Sequence, residues 1–187
     1  MGFGWEGTKT RLVPLDKARH LENYVRWLND PEVTRCLLIG DLPLTRIAEE
    51  EFFDKAGKPS ESDVIFAVET LDGEHVGGCG IHHIKLRHGE GTTGTIIGRR
   101  DLWGQGYATD AVRTRTRYAF EVLGLRNLLS EVFADNPASL RVLLKAGYRE
   151  YGRIPQRTWK HGCYHDVIML LLERERWRTF TSASGGK

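Results

Sequence analysis

Along this chain the spacing of apolar residues changes period several times, and each change marks an element. Over residues 16–29, Leu21, Val25 and Leu28 recur at helical spacing, and Asn29-Asp30-Pro31 ends the pattern. A second helix is expected from Pro43 to about Ala56, with Thr45 and Glu49 near its start. The apolar runs at 64–70 and 75–84 read as strands joined by the hairpin turn Leu71-Asp72-Gly73-Glu74. A polar turn at 87–92 leads into a strand at 93–98. Residues 106–123 form the expected central helix. Ala108, Ala111, Val112, Ala119 and Val122 lie broadly on one face of it, and Gly124 stops it. Strands follow at 128–134, 148–158 and 163–172, the last two joined by a turn near Lys160-His161-Gly162. A short strand at 10–14 opens the set. Segments 1–9 and 179–187, rich in small residues, are expected to be flexible. That leaves a single domain at 10–178.

The order β-α-α-β-β-β-α-β-α-β-β mixes hairpins with one crossover through the central helix. It predicts an α/β fold with a mixed sheet. The 187 residues suit one domain, and an apolar fraction of 40% is enough for a core. A net charge of +2 gives no reason to expect nucleic acid as a partner. No apolar stretch approaches the roughly 20 residues of a membrane span, and the N-terminus lacks a basic-then-apolar signal pattern. The three cysteines, Cys36, Cys79 and Cys163, are scattered and odd in number. The expected location is a reducing cytoplasm.

The most informative segment is Ile96-Ile97-Gly98-Arg99-Arg100-Asp101-Leu102-Trp103-Gly104-Gln105-Gly106-Tyr107-Ala108-Thr109. A strand ends, a glycine-bearing turn follows, and a helix begins at once. Gly104 and Gly106 let backbone N–H groups approach a ligand closely. The unpaired N–H groups of the helix's first turn point into the same loop, which makes an anion site. No Gly-Lys-Ser/Thr closes it, so it is not a Walker loop. A dinucleotide fingerprint would have a third glycine where Thr109 stands. A second motif lies downstream, at Asn136-Pro137-Ala138-Ser139 and Lys145-Ala146-Gly147-Tyr148. Asn136 suits an N-cap, Pro137 the first helical position and Gly147 the C-terminal cap.

Trp-Gly-Gln-Gly-Tyr-Ala resembles the acetyl-CoA pyrophosphate loop of the GNAT superfamily of N-acetyltransferases, Arg/Gln-x-x-Gly-x-Gly/Ala. Trp103 takes the first place, Gly106 the fourth and Ala108 the sixth. The second motif resembles the same family's Asn-x-x-Ser/Ala … Lys-x-Gly-Phe/Tyr, and the likeness covers roughly residues 10–177. It implies a GNAT-like sheet in which the parallel strands 93–98 and 128–134 splay apart to admit acetyl-CoA. The implied coenzyme contacts are Ile96, Ile97, Gly98, Trp103, Gly104, Gln105, Gly106, Tyr107, Ala108, Thr109, Asn136, Ser139, Arg141 and Lys145. Of the last two, either suits the ribose phosphate.

In the family an amine attacks bound acetyl-CoA directly, and a backbone N–H of the first splayed strand faces the thioester carbonyl. Here Ile97 or Gly98 would supply it. Many relatives carry a tyrosine acid where this chain has Leu143. The ribosomal-type branch implies Ser139 as proton donor instead. The general base is open. Relatives often have Glu near position 92, where Thr92 stands with Glu90 nearby, and Glu131 on the second splayed strand is the alternative. No zinc spacing links Cys79, His82 and His83, so no metal is expected, although one of these histidines is left to face the amine groove.

Trp27-Leu28-Asn29-Asp30-Pro31-Glu32-Val33 resembles the first-helix region of the ribosomal-protein and polyamine acetyltransferase-like branch. The implied activity is acetyl transfer from acetyl-CoA to a primary amine, either a protein N-terminus or a small molecule. A non-catalytic acyl-CoA-binding or regulatory module is the alternative, and a homodimer is left open.

Overall fold

A computed structural model describes residues 5–184. The strands are β1 (Trp5–Glu6), β2 (Thr10–Pro14), β3 (Val64–Thr70), β4 (His75–Lys85), β5 (Glu90–Ile97), β6 (Asn127–Phe133), β7 (Arg149–Lys160) and β8 (Cys163–Glu173). The helices are α1 (Lys17–Leu28), α2 (Pro31–Thr34), α3 (Arg46–Ala56), α4 (Tyr107–Glu121), α5 (Pro137–Lys145) and α6 (Arg174–Ser184). The eight strands form one sheet in the order β1-β2-β3-β4-β5-β6-β8-β7. Among the described residues only the β5–β6 pairing is parallel, and α4 is the crossover between those two strands.

Local chemistry sets the helix ends. Asp16 caps α1 by accepting from Arg19 N, and Thr45 caps α3 by accepting from Ala48 N. The second long helix therefore starts at Arg46, later than the Pro43 expected from sequence. The strand expected at 93–98 begins earlier, at Glu90, because Glu90, Gly91 and Thr92 pair with β6.

One sheet face is covered by α4, α5 and α6. Val112, Ala119 and Phe120 pack there with Leu128, Val132, Leu170 and Leu172, and Trp177 joins the edge. α1 and α3 cover the other face of the first half of the sheet, where Leu21, Tyr24, Leu28 and Phe53 pack with Ile96. Among the described residues no helix is long and apolar enough to cross a membrane.

Both chain ends carry more structure than their composition indicates. Trp5–Glu6 pairs with Leu12 and Arg11. Asp110 in α4 gathers five hydrogen bonds of 2.8–3.0 Å from Thr8 N, Thr8 Oγ1, Lys9 N, Thr10 N and Thr10 Oγ1. Arg117 donates to the Glu6 carbonyl (2.7 Å) and lies over the Trp5 ring. These contacts stitch residues 5–10 to the helix that follows the glycine loop. Asp110→Asn keeps the shape but removes the charge and half of the acceptor capacity. It should cost roughly 1–3 kcal/mol, read from the urea midpoint. At the other end, α6 continues to Ser184, through most of the segment expected to be a flexible tail. Residues 1–4 and 185–187 of the expected flexible segments lie outside the described residues.

A second stability device sits under α1. The His75 ring packs against His20, Trp27 and Tyr24, with centroids 4.5, 4.7 and 5.4 Å away. Its Nε2 donates to the Gly77 carbonyl (2.9 Å), and its Nδ1 accepts from Asn23 Nδ2 (3.1 Å). Burial, then the charge of His20, pushes its pKa from 6.5 down to about 3. The unfolded chain takes this proton below about pH 6.5, and the folded chain refuses it. Stability is therefore full above that pH and falls by up to about 1.4 kcal/mol per unit as pH drops toward 3. In urea titrations between pH 7 and 4.5, the wild-type midpoint should fall more steeply than that of His75→Gln.

Candidate active site

β5 and β6 pair only at Glu90–Asn127, Gly91–Leu128 and Thr92–Leu129. Beyond that, β5 stays with β4 as far as Ile97, and β6 stays with β8 as far as Phe133. The two central strands therefore part, and a fork opens toward their C-terminal ends. Side chains fasten its apex: Thr93 Oγ1 donates to the Leu129 carbonyl (3.0 Å) and Ser130 Oγ to the Thr93 carbonyl (3.2 Å). Arg115 of α4, 1% exposed, donates to the Gly94 carbonyl (2.8 Å) and to Thr95 Oγ1 (2.7 Å) just beyond.

Strand residues alternate the edge on which they present N–H and C=O. Gly98 N–H is spent on the Val76 carbonyl of β4 (2.9 Å), so it cannot face the fork. Of the two donors expected from sequence, Ile97 is the one left facing β6. The Ile97 carbonyl accepts the Trp103 indole N–H (2.8 Å), which ties the glycine loop to the strand end.

The loop itself runs through a 3-10 turn at Arg100–Leu102 into α4. Gln105 Nε2 donates to the Asp101 carbonyl (2.6 Å) and braces it. Gly104 (φ 76°) and Gly106 (φ 91°) are left-handed, a conformation that disfavours side chains. Gly106 is the N-cap of α4, and among the described residues no side chain caps the helix. The first-turn N–H groups, at Tyr107, Ala108 and Thr109, are thus presented outward. A Cβ on Gly104 would meet nothing within 4 Å; on Gly106 it would meet only Lys9, at 3.7 Å. Open space before an uncapped helix N-terminus, with the Lys9 stem at its edge, fits the diphosphate of CoA.

α5 starts beside the other arm of the fork, four residues after Phe133. Asn136 Oδ1 caps it by accepting from Ser139 N (3.1 Å). The Asn136 amide N–H groups and the Ser139 hydroxyl make no hydrogen bond among the described residues. Arg141 is exposed midway along α5. Lys145 ends the helix, about 13 Å along the axis from Asn136, where its carbonyl accepts from Arg113 (2.8 Å). The structure does not bring Lys145 to the fork.

On the α1 side the fork has a floor of glycines, of which only Gly98 belongs to a sequence motif. A Cβ on Gly98 would strike the Trp27 indole at 1.9 Å, and one on Gly78 the Tyr24 hydroxyl at 1.8 Å. One on Gly80 would strike the His82 ring at 2.5 Å. Glycines at 77, 78 and 80 inside one strand are the available signal, since such residues mark close approach. Glu131 is exposed on the same face of β6, two residues past the last β5–β6 pair. Glu90 sits at the closed end of the fork, held by Lys85 Nζ (2.9 Å), away from the opening. Residues 39–41 are tied to the β7–β8 hairpin. There the buried Lys160 Nζ donates to the Ile39 carbonyl (2.9 Å) and pairs with Asp41 (3.0 Å). Among the described residues no three His, Cys, Asp or Glu converge as a metal site.

Known proteins share this architecture. The solved spermidine N-acetyltransferase of Vibrio cholerae, in complex with CoA and spermine, superposes with a TM-score of 0.82 at 19% identity, covering 90% of this chain and 98% of that one. N-acetyltransferase p20 of Bacillus licheniformis, itself uncharacterized, is 27% identical over 170 residues, 88% of this chain and 92% of its own length. YdaF of Bacillus subtilis, named a ribosomal N-acetyltransferase, is 24% identical over 168 residues, 89% of this chain and 90% of its own. The model of the acetyltransferase (GNAT) domain matches residues 9–149. The forked sheet, the glycine loop and this match agree: the chain belongs to the GNAT family of acetyl-CoA-dependent N-acetyltransferases.

Proposed function

We propose that the chain acetylates a small cationic primary amine by direct attack on acetyl-CoA, in a complex holding both substrates. The observation that carries this reading is the placement of the uncapped, glycine-led α4 N-terminus at the open end of the β5–β6 fork. A diphosphate held at the first would send its pantetheine arm along the second. Backbone groups of 103–109 hold the diphosphate, and the free Asn136 amide hydrogen-bonds the arm. Ile97 N–H polarises the thioester carbonyl. Ser139, whose hydroxyl is uncommitted, returns a proton to the departing CoA thiolate.

The acceptor approaches across the glycine floor, between α1 and the hairpin tied down by Lys160. The carboxylates at this mouth, Asp63 and Glu131, favour a cation. The solved Vibrio cholerae enzyme of the same fold is in complex with spermine, a cation of this kind. The test is thiol release from acetyl-CoA with a panel of polyamines, amino sugars, amino acids and peptides with free N-termini. Fastest release with a small di- or polyamine is expected. Turnover of the peptides alone would move the acceptor to protein N-termini.

A further inference from the structure

One titratable ring lies across the glycine floor. Gly80 of β4 and Gly94 of β5 are directly paired, and His82 is paired with Thr92 two residues nearer the closed end of the fork. All four share the face turned to α1. A Cβ on Gly80 would fall 2.5 Å from His82 Nε2, and one on Gly94 would fall 3.9 Å from it. The imidazole therefore lies over Gly80 of β4, with Nε2 within van der Waals reach of Gly94 on β5, the last strand before the gap. Gly94 is exposed and the His82 side chain is 35% exposed, so an acceptor reaches this nitrogen from solvent.

The other ring nitrogen is fixed. Nδ1 lies 3.2 Å from Asp63 Oδ1. The Ser62 hydroxyl, then His82 and the His83 backbone N–H, hold the Asp63 carboxyl below its usual range. The loop beneath is itself braced, with Ser60 Oγ accepting from Ser62 N (3.2 Å) and Asp63 N (3.1 Å). An ionised carboxylate only accepts, so Nδ1 carries the hydrogen and the neutral ring keeps its lone pair on Nε2. Nε2 makes no hydrogen bond among the described residues.

Several other titratable groups face this stretch of sheet: Glu90 of β5 is held by Lys85 at the closed end, and the Tyr151 hydroxyl of β7 is pushed up by burial and then by Glu131 and Glu90. Asp63 comes from the loop before β3. Tyr24 of α1 stands over Gly78, and burial raises its pKa, so it stays a neutral hydroxyl. Glu49 of α3 acts on Tyr24, and burial raises its carboxyl. Glu131 lies across the fork on β6, exposed and, among the described residues, without a hydrogen bond to orient it. Of these, only His82 combines a solvent-facing lone pair with a partner that fixes its direction.

We propose that His82, oriented by Asp63, is the base that takes the proton from the acceptor amine. This rests on the reading of the chain as an amine acetyltransferase working at the fork, and it replaces Glu131 as base, leaving Glu131 to attract the cation. His82 Nε2 takes one proton from R–NH3+ and releases R–NH2. The nitrogen lone pair forms the C–N bond to the acetyl carbon as the C–S bond breaks. The remaining surplus N–H proton balances the departing thiolate, and His82 returns its own to solvent.

The test is kcat/KM against pH for wild type, H82Q and D63N, with CoA affinity measured in parallel by calorimetry. H82Q should lose about a hundredfold or more in kcat/KM for an alkylamine, with CoA affinity kept. Its acid limb should move to follow the acceptor's own ionisation. A hydrazide acceptor, already neutral at the assay pH, should lose at least tenfold less. D63N leaves the ring in place and should displace the acid limb. An H82Q enzyme with wild-type kcat/KM and an unmoved limb overturns the proposal. If H82Q does not fold, an unmoved limb in D63N overturns it. A wild type that releases no thiol with any amine would overturn the functional reading itself, an outcome distinct from an active wild type indifferent to H82Q.

Discussion

Gly106→Val should weaken CoA binding by at least about a hundredfold while the chain still folds. Gly106 holds φ at 91°, where an L side chain is strained and a β-branched one most of all. Relaxing that strain turns the loop and scatters the N–H groups that converge before α4. Keeping the turn instead places valine methyls in the open space ahead of the helix, since a Cβ there meets only Lys9. Either way at least one or two charge-assisted hydrogen bonds go, each worth about 1.5–3 kcal/mol, and every 1.4 kcal/mol is tenfold in affinity. The residue is exposed and packs against little, so folding should suffer only the strain, about 1–2 kcal/mol. Calorimetry of CoA binding reads the effect directly. Unchanged affinity in a folded Gly106→Val would remove the diphosphate from this loop.

Ser139→Ala should slow turnover by about ten- to a thousandfold, with CoA affinity changed much less. Ser139 lies in the first turn of α5, and its N–H is already satisfied by the Asn136 cap. Its hydroxyl carries no structural bond among the described residues, so removing it should hardly alter stability. The loss should appear in kcat, because a proton donor to the leaving thiolate acts in the transition state rather than in binding. An undiminished rate would leave Ser139 with no role beyond its place in the helix.

Much of this architecture was legible in the sequence. β3 spans the residues that apolar patterning indicated, and α5 is bounded by the cap chemistry of Asn136 and Pro137. The family likeness, rather than any periodicity, supplied the splay between the central strands. What stayed hidden depends on contacts remote in sequence. Residues 5–9 are held by Arg117 and Asp110, more than a hundred residues away, so local composition read them as loose. α6 forms where Ser and Gly suggested a tail. Trp177 of its first turns is anchored against Phe120, with ring centroids 5.3 Å apart. Which of Ile97 and Gly98 faces the fork turns on the Gly98–Val76 bond, a matter of strand register. The pairing of His82 with Asp63 spans a hairpin and a loop, and neither residue belongs to a motif.

The central claim is direct transfer between two substrates held together at the fork. Initial rates with acetyl-CoA and the best amine of the panel both varied, together with the intact mass of enzyme incubated with acetyl-CoA alone, test it most directly. The account predicts intersecting double-reciprocal lines and an enzyme whose mass does not change. Parallel lines, with an acetyl group retained on Ser139 or any other side chain, would contradict it.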